Sequence, residues 1–316
     1  MMKKSLIVIP NNNKYKFAAK GFAEAFKDFD FFVFEKKSAD LNIDEINTLT
    51  PDIIMIFWEQ KGEHLEQFFN SCSLNSVFIH LSEYIDNIPK QYRSLKNHYI
   101  FAADAENQKE LLLPAVSAAD YKTNKEEFSS FKYNITFAGN PASDIREKTL
   151  SALIRTFGII NIFSRSYDFY KSAEEIRLKK LLNEDYTALY IKSYRGFVNN
   201  QSGLADIYSS SAVNLDMPAA GEKAINYRLL EITASSGFVI ARCNDFISNT
   251  YDIGRELDVY YNIEDLIDKI SFYLKHPRTA AVIAENGRKK TVKKFTYYDE
   301  LEKMLELIYG KNFNSR

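Results

Sequence analysis

Arg228 and Glu231 stand three residues apart in the stretch 226–242, NYRLLEITASSGFVIAR. On a helix that spacing puts a guanidinium and a carboxylate on one face. The helix reads over 228–234, stops at Ser235-Ser236-Gly237 and gives way at once to the apolar run 238–241, which suits a strand buried on both faces. Gly237 fits the left-handed residue that ends many helices. A planar cation matches phosphate oxygens, and a carboxylate beside it accepts hydrogen bonds from hydroxyls, so the pair would grip a sugar nucleotide. The same spacing also describes an ordinary surface ion pair, worth roughly a few tenths of a kcal/mol.

Other residues could hold an anion. Helix N-termini carry partial positive charge and unpaired donors. Gly139-Asn140-Pro141 precedes a helix expected from 144, and Gly221 precedes one expected from 223. Lys192 and Arg195, in a loop expected over 192–198, are further phosphate candidates, and the backbone around Gly196-Phe197 is a candidate for contact with a base. Each has an ordinary alternative: Gly139 as a plain turn, Lys192 and Arg195 as a solvated pair. For proton transfer the candidates are His80, Glu83 and Glu59. His80, inside VFIHL, equally suits a core histidine, and the two glutamates equally suit solvated loops. His64, His98 and His276 have no constellation around them. Asp28-Phe29-Asp30 has the form of a metal–diphosphate motif but falls at a helix-to-strand junction, where acidic turn residues are expected.

The elements that must position these groups alternate. Strands are expected at 5–9, 31–34, 52–58, 77–81 and 99–102, with helices at 17–26, 41–48 and 63–69. After a polar passage the alternation restarts. Strands are expected at 133–138, 159–163, 188–191, 212–215 and 259–260, and helices at 144–157, 203–210, 263–274, 278–294 and 298–309. Such alternation implies parallel sheets covered on both faces, with ligands at the carboxyl ends of the strands. In the first half those ends carry residues 11–13, Trp58-Glu59-Gln60 and 80–83.

Composition bounds the rest. The chain has 316 residues, enough for two domains with real cores. It is 46% hydrophobic and 26% charged, as globular chains are. A net charge of −1 speaks against a general nucleic-acid binder. Cys72 and Cys243 lie far apart without metal spacing, and the opening MMKKSLIVIP is too short for a signal peptide. A cytoplasmic protein is expected, touching a membrane at most peripherally, for example through the basic face of Lys289, Lys290, Lys293 and Lys294. Walker A, GxGxxG, HExxH and GxSxG motifs are all missing.

The Arg-x-x-Glu helix, its small-residue turn and the Gly-Phe strand resemble the C-terminal signature of CgeB-like glycosyltransferases. YNITFAGN at 133–140, YRGFV at 194–198, LADIYSSSAVNLD at 204–216 and YYNIEDLIDKISFYLKHP at 260–277 are similar to successive parts of that family's nucleotide-binding domain. The likeness covers about residues 130–308 and is weak over 1–120. It implies a GT-B architecture, two Rossmann-like parallel-sheet α/β domains facing a cleft. The expected divisions are an acceptor-side domain at 1–120, a linker at 121–132, a nucleotide-sugar domain at 133–297, and a last helix within 298–316 that crosses back to the first domain. The implied activity is transfer of a sugar from a nucleotide-sugar donor to a glycan, lipid-linked or protein acceptor, with no tightly bound metal or other cofactor. Gly139, Asn140, Lys192, Arg195, Gly196, Phe197, Gly221, Arg228 and Glu231 would hold the donor, Arg228 on phosphate and Glu231 on the ribose hydroxyls. Retaining members often carry two glutamates with seven residues between them; Glu222 and Glu231 have eight, so no role for Glu222 follows. The alternatives are a catalytically silent protein of the same fold that binds a sugar nucleotide or a glycosylation partner, and a sugar-nucleotide epimerase.

Overall fold

The computed structural model describes residues 2–10, 15–58, 65, 75–82, 85–102, 115–117, 119–121, 131–141, 143–164, 184–218 and 227–310. The chain divides into two compact units, residues 1–115 with 295–316, and residues 116–294.

The first unit is built on a five-stranded parallel sheet in the order β2-β1-β3-β4-β5. Its strands are β1 (Lys3–Ile9), β2 (Phe31–Lys37), β3 (Ile53–Phe57), β4 (Val77–Ser82) and β5 (His98–Ala102). The central β3, IIMIF, is buried at every position, because layers cover both of its faces. Helix α1 (Lys16–Asp28) turns Ala18, Phe22, Ala25 and Phe26 inward. Helix α2 (Ile43–Leu49) starts where the Asn42 side chain accepts from the backbone N–H of Asp44 and Glu45. The expected helix at 63–69 lies almost entirely outside the described residues. The last helix of the chain, α10 (Tyr297–Tyr309), is opened by a capping box between Thr296 and Asp299. It packs on α1: Tyr297 meets Phe22 edge-on at 5.1 Å and Tyr298 stacks on Phe29 at 4.6 Å. A Cβ on Gly21 would fall inside the Tyr297 ring, so this contact demands a glycine.

The second unit holds a six-stranded parallel sheet, β11-β10-β9-β6-β7-β8. Its strands are β6 (Tyr133–Ala138), β7 (Asn161–Phe163), β8 (Tyr194–Gly196), β9 (Ser211–Asp216), β10 (Val239–Arg242) and β11 (Asp258–Tyr260). Its helices are α3 (Asp144–Phe157), α4 (Glu184–Lys192), α5 (Gln201–Ser209), α6 (Tyr227–Ala234), α7 (Asp245–Thr250), α8 (Ile263–Lys275) and α9 (Pro277–Lys294). The chain builds outward from β6 through β7 to β8, then returns to lay β9, β10 and β11 on the other side. The strand order therefore reverses between β6 and β9, and a crevice is expected at their carboxyl ends.

Three local expectations are corrected. Residues 188–191, expected as a strand, lie inside α4, where Tyr190 is buried between exposed Ala188 and Ile191. A four-residue apolar run does not separate the two periods. Residues 194–196, expected within a loop, form the edge strand β8. The left-handed residue that ends α6 is Ser236 (φ 54°), not Gly237. Gly237 is required for space instead: a Cβ there would sit 2.9 Å from the Ile232 side chain and 3.0 Å from Asn214.

Candidate functional site

At the carboxyl ends of β6 and β7 a pocket of about 500 Å³ opens. Ala138, Gly139 and Asn140 supply one wall, Phe163 and Ser164 the next, and Phe197 and Val198 follow β8. Leu204 and Tyr208 of α5 and Tyr227, Arg228 and Glu231 of α6 complete it. Helical spacing brings Arg228 and Glu231 to the same cavity, as sequence reading expected of one face.

Arg228 is bound hard to the sheet. Its Nε donates to the Ala138 carbonyl at 2.6 Å, and its Nη1 donates to Asp216 Oδ1 and to the Met217 carbonyl, both at 3.1 Å. The guanidinium lies over the Phe137 ring, 5.1 Å from its centroid. No described residue accepts from Nη2, which lies against Gly139: a Cβ added there would stand 2.6 Å from it. Gly139 also takes φ +152°. The glycine thus meets two demands, a backbone conformation and the close approach of a cation. The carboxylate paired with Arg228 is Asp216, at the end of β9 and 2% exposed, rather than Glu231. A buried carboxylate must have such a partner.

Glu231 has a different company. Tyr121 donates its phenol to Oε1 at 2.9 Å, and Tyr208, itself buried, makes a second side-chain hydrogen bond. Burial pushes the carboxyl up to about 6, while Tyr121, Arg228 and Tyr208 pull the other way. Near neutral pH it is an oriented acceptor in a partly dry place. Arg146 of α3 ties two loops of the rim together, donating to the Met217 carbonyl at 2.9 Å and the Asn140 carbonyl at 3.0 Å.

Five of the sequence candidates therefore meet here: Gly139, Asn140, Phe197, Arg228 and Glu231. Lys192, Arg195 and Gly196 are not among the lining residues. Lys192 is exposed in the last turn of α4, and Arg195 folds back, donating to Asn161 Oδ1 at 2.9 Å and to the Lys192 carbonyl at 3.0 Å. Arg195 thus fastens the sheet edge, and neither side chain is among those that line the pocket. Gly196 serves its backbone, with φ +89° and open space around it. Gly221, Glu59 and Glu83 lie outside the described residues.

His80 is also corrected. It is completely buried on β4, and both ring nitrogens are engaged: Nδ1 accepts from Trp58 Nε1 at 2.9 Å, and Nε2 meets His98 Nδ1 at 2.8 Å. The ring sits in a stack with Trp58, Tyr92 and His98. Burial and then the charge of His98 lower it to about 3. Since indole only donates, Nδ1 is unprotonated and Nε2 carries the hydrogen. A neutral, walled-in imidazole with no open nitrogen cannot take a proton from an acceptor.

His276 closes the end of α8 through its own helix, Nδ1 lying 2.7 Å from the Phe272 carbonyl. Asp30 has φ 61° in the turn after α1, the acidic turn residue expected there. Among the described residues no group of three or more His, Cys, Asp or Glu side chains could hold a metal ion, and no helix is long and apolar enough to cross a membrane. Sequence reading missed Tyr121, Asp216, Arg146 and Tyr208. Asp216 carries a signal, a carboxylate at the end of an apolar run, whereas Tyr121 lies in the polar stretch expected as a linker.

Residues 155–306, just under half of the chain, match the family model described as glycosyl transferase-like. No curated protein matches the chain. Among solved structures it is similar to a glycosyltransferase from Rickettsia africae ESF-5, with TM-score 0.67 and 14% identity over 100% of this chain and 99% of that one. It is similar to the sucrose-phosphate synthase tll1590 from Thermosynechococcus elongatus, with TM-score 0.62 and 12% identity over 99% and 100%. It is similar also to Anabaena Alr3699/HepE in complex with UDP-glucose, with TM-score 0.63 and 11% identity over 98% and 99%. At such identities the likeness is one of fold: two parallel-sheet α/β domains of the GT-B kind.

Proposed function

We propose that this chain is a glycosyltransferase of the CgeB-like kind. It moves a sugar from a nucleotide-sugar donor to a glycan, lipid-linked or protein acceptor. The nucleoside diphosphate sits in the pocket of Gly139, Arg228 and Glu231. One observation carries this: Arg228 is clamped through Nε and Nη1, so that Nη2 is held without reorganisation where the strand order reverses. Preorganised donors of that sort stabilise charge that develops during a reaction.

The chemistry follows from the residues. When the bond from the sugar to the diphosphate breaks, negative charge grows on the leaving oxygen. Arg228 meets it with a planar cation, and backbone N–H groups at the start of α3 add partial positive charge. These groups handle the leaving charge without a bound metal. Glu231 accepts from the ribose hydroxyls, and the aromatic rings of Phe163 and Phe197 flank the space left for the base. Glu59 and Glu83 are the groups proposed for the acceptor's proton. The family-model match and the fold shared with a protein held in complex with UDP-glucose support this reading.

A thermal-shift series with UDP, GDP, CDP and TDP tests it. One of them is expected to raise the melting point, by about 2.7 kcal/mol of stabilisation at 100 times its dissociation constant. Arg228→Lys keeps a cation beside Asp216 but loses the fork, and is expected to abolish the shift while remaining folded. Failure of all four ligands, or an undiminished shift in the lysine variant, overturns the reading.

A further inference from the structure

Tyr121 stands outside every element that builds the pocket, yet it reaches one of the carboxylates that line it. It lies in the passage between β5 and β6, is 1% exposed, and donates to Glu231 Oε1 at 2.9 Å across 110 residues of chain. Its own backbone is held in turn: Arg288 of α9 donates to the Tyr121 carbonyl at 3.1 Å. A buried phenol that donates to a half-buried carboxylate makes a charge-assisted hydrogen bond, a stronger class than a neutral one.

We propose that Tyr121, fixed by Arg288, is a positioning residue that holds Glu231 as a charged, pure acceptor turned to the ribose diol of a nucleotide. The proposal rests on the function given above but not on the identity of the base. The groups that face Glu231 are Arg228 on its own helix, Asp216 at the end of β9, Tyr208 on α5 and Tyr121. Burial and Asp216 favour the neutral acid; Tyr121, Arg228 and Tyr208 favour the carboxylate. A neutral acid would carry a hydrogen of its own, and would meet a pair of hydroxyls with one acceptor fewer. Tyr121 therefore helps decide at which pH the pocket prefers a ribonucleotide, although it is not itself among the residues that line the pocket.

The test has two arms. The first needs no ligand. The Glu231 side-chain carboxyl is followed by carbon NMR through a pH titration of the full chain, with Glu231→Gln to assign the signal. In Tyr121→Phe the midpoint is expected to move upward, and Arg288→Ala is expected to move it the same way by less. An unchanged midpoint in folded Tyr121→Phe overturns the proposal. The second arm measures UDP affinity by calorimetry for wild type and Tyr121→Phe at each pH, so that the ratio cancels the titration of UDP itself. If the midpoint rises by about one unit, binding is expected to weaken roughly fivefold at pH 6 and to converge near pH 8. A weakening that is equal at every pH marks a merely structural role and overturns the proposal. If wild type binds no nucleoside diphosphate while the NMR midpoint still moves, the proposed function falls and the hold on Glu231 stands.

Discussion

His80 of the first unit and Arg228 of the second both lie near the carboxyl ends of central parallel strands, and both looked chemical in sequence. Their environments differ in one respect. Every polar atom of the His80 ring has a partner inside its own unit, from Trp58 on one side and His98 on the other. Arg228 has two of its three nitrogens spent on the sheet, and the third faces a pocket. A fully satisfied buried network rigidifies a core. A group anchored through most of its donors, with one nitrogen left beside a cavity, is the kind of preorganised donor proposed above to meet a nucleotide. The contrast sets a polar group whose partners are all internal against one proposed to bind, without reference to residue type.

The largest expected effect tests the structural side. His80 is held neutral, its folded value of about 3 lying below the ordinary 6.5. Below pH 6.5 the unfolded chain therefore binds a proton that the folded chain refuses, and stability falls as pH falls from 6.5 toward 3. The loss should be on the order of 4 kcal/mol by the acid end. Urea melts across that range should show it, and His80→Phe should flatten the acid limb while costing about 1–3 kcal/mol at neutral pH for the orphaned Trp58 N–H. An unchanged acid limb in the variant would erase the contrast with Arg228.

Next in size is Gly139→Ala. A side chain there meets the Arg228 guanidinium at 2.6 Å in a positive-φ conformation. Nucleotide affinity should fall at least about 100-fold, or about 2.7 kcal/mol by calorimetry. Glu231→Gln comes third and has two opposite outcomes. The carboxyl's folded value of about 6 lies above 4.5, so its contribution to stability is lost as pH rises between those values. At pH 7 the glutamine variant should be more stable by up to about 2 kcal/mol, while its nucleotide affinity falls. A variant that is both more stable and equally tight would show that the carboxylate is not a binding group. The smallest effect is expected at the sheet edge. Lys192→Ala and Arg195→Ala should change stability by less than about 1 kcal/mol and leave nucleotide affinity within about twofold of wild type. A larger loss of affinity would return them to the site.

The apolar runs at 5–9, 52–58, 77–81, 133–138 and 212–215 were legible because strands buried on both faces have little choice of residue type. The helix face shared by Arg228 and Glu231 was legible because spacing alone sets it. The exchange of strand and helix around 188–196 was not, since a short apolar run carries no period. Nor was Ser236 in place of Gly237 as the left-handed stop, because the crowding by Ile232 and Asn214 comes partly from another strand.

The amino-acid sequence by itself determined two parallel α/β sheets and one helix face bearing a cation and an acid. Tertiary structure decided which partner each of those two took. Arg228 found Asp216 because β9 pairs with β6, placing Ser211 opposite Tyr133 and so the two strand ends side by side. Glu231 found Tyr121 across 110 residues. Local spacing encodes which way a side chain points, but what it meets there depends on contacts between segments far apart in the chain, and those contacts exist only once the sheet has closed around its core.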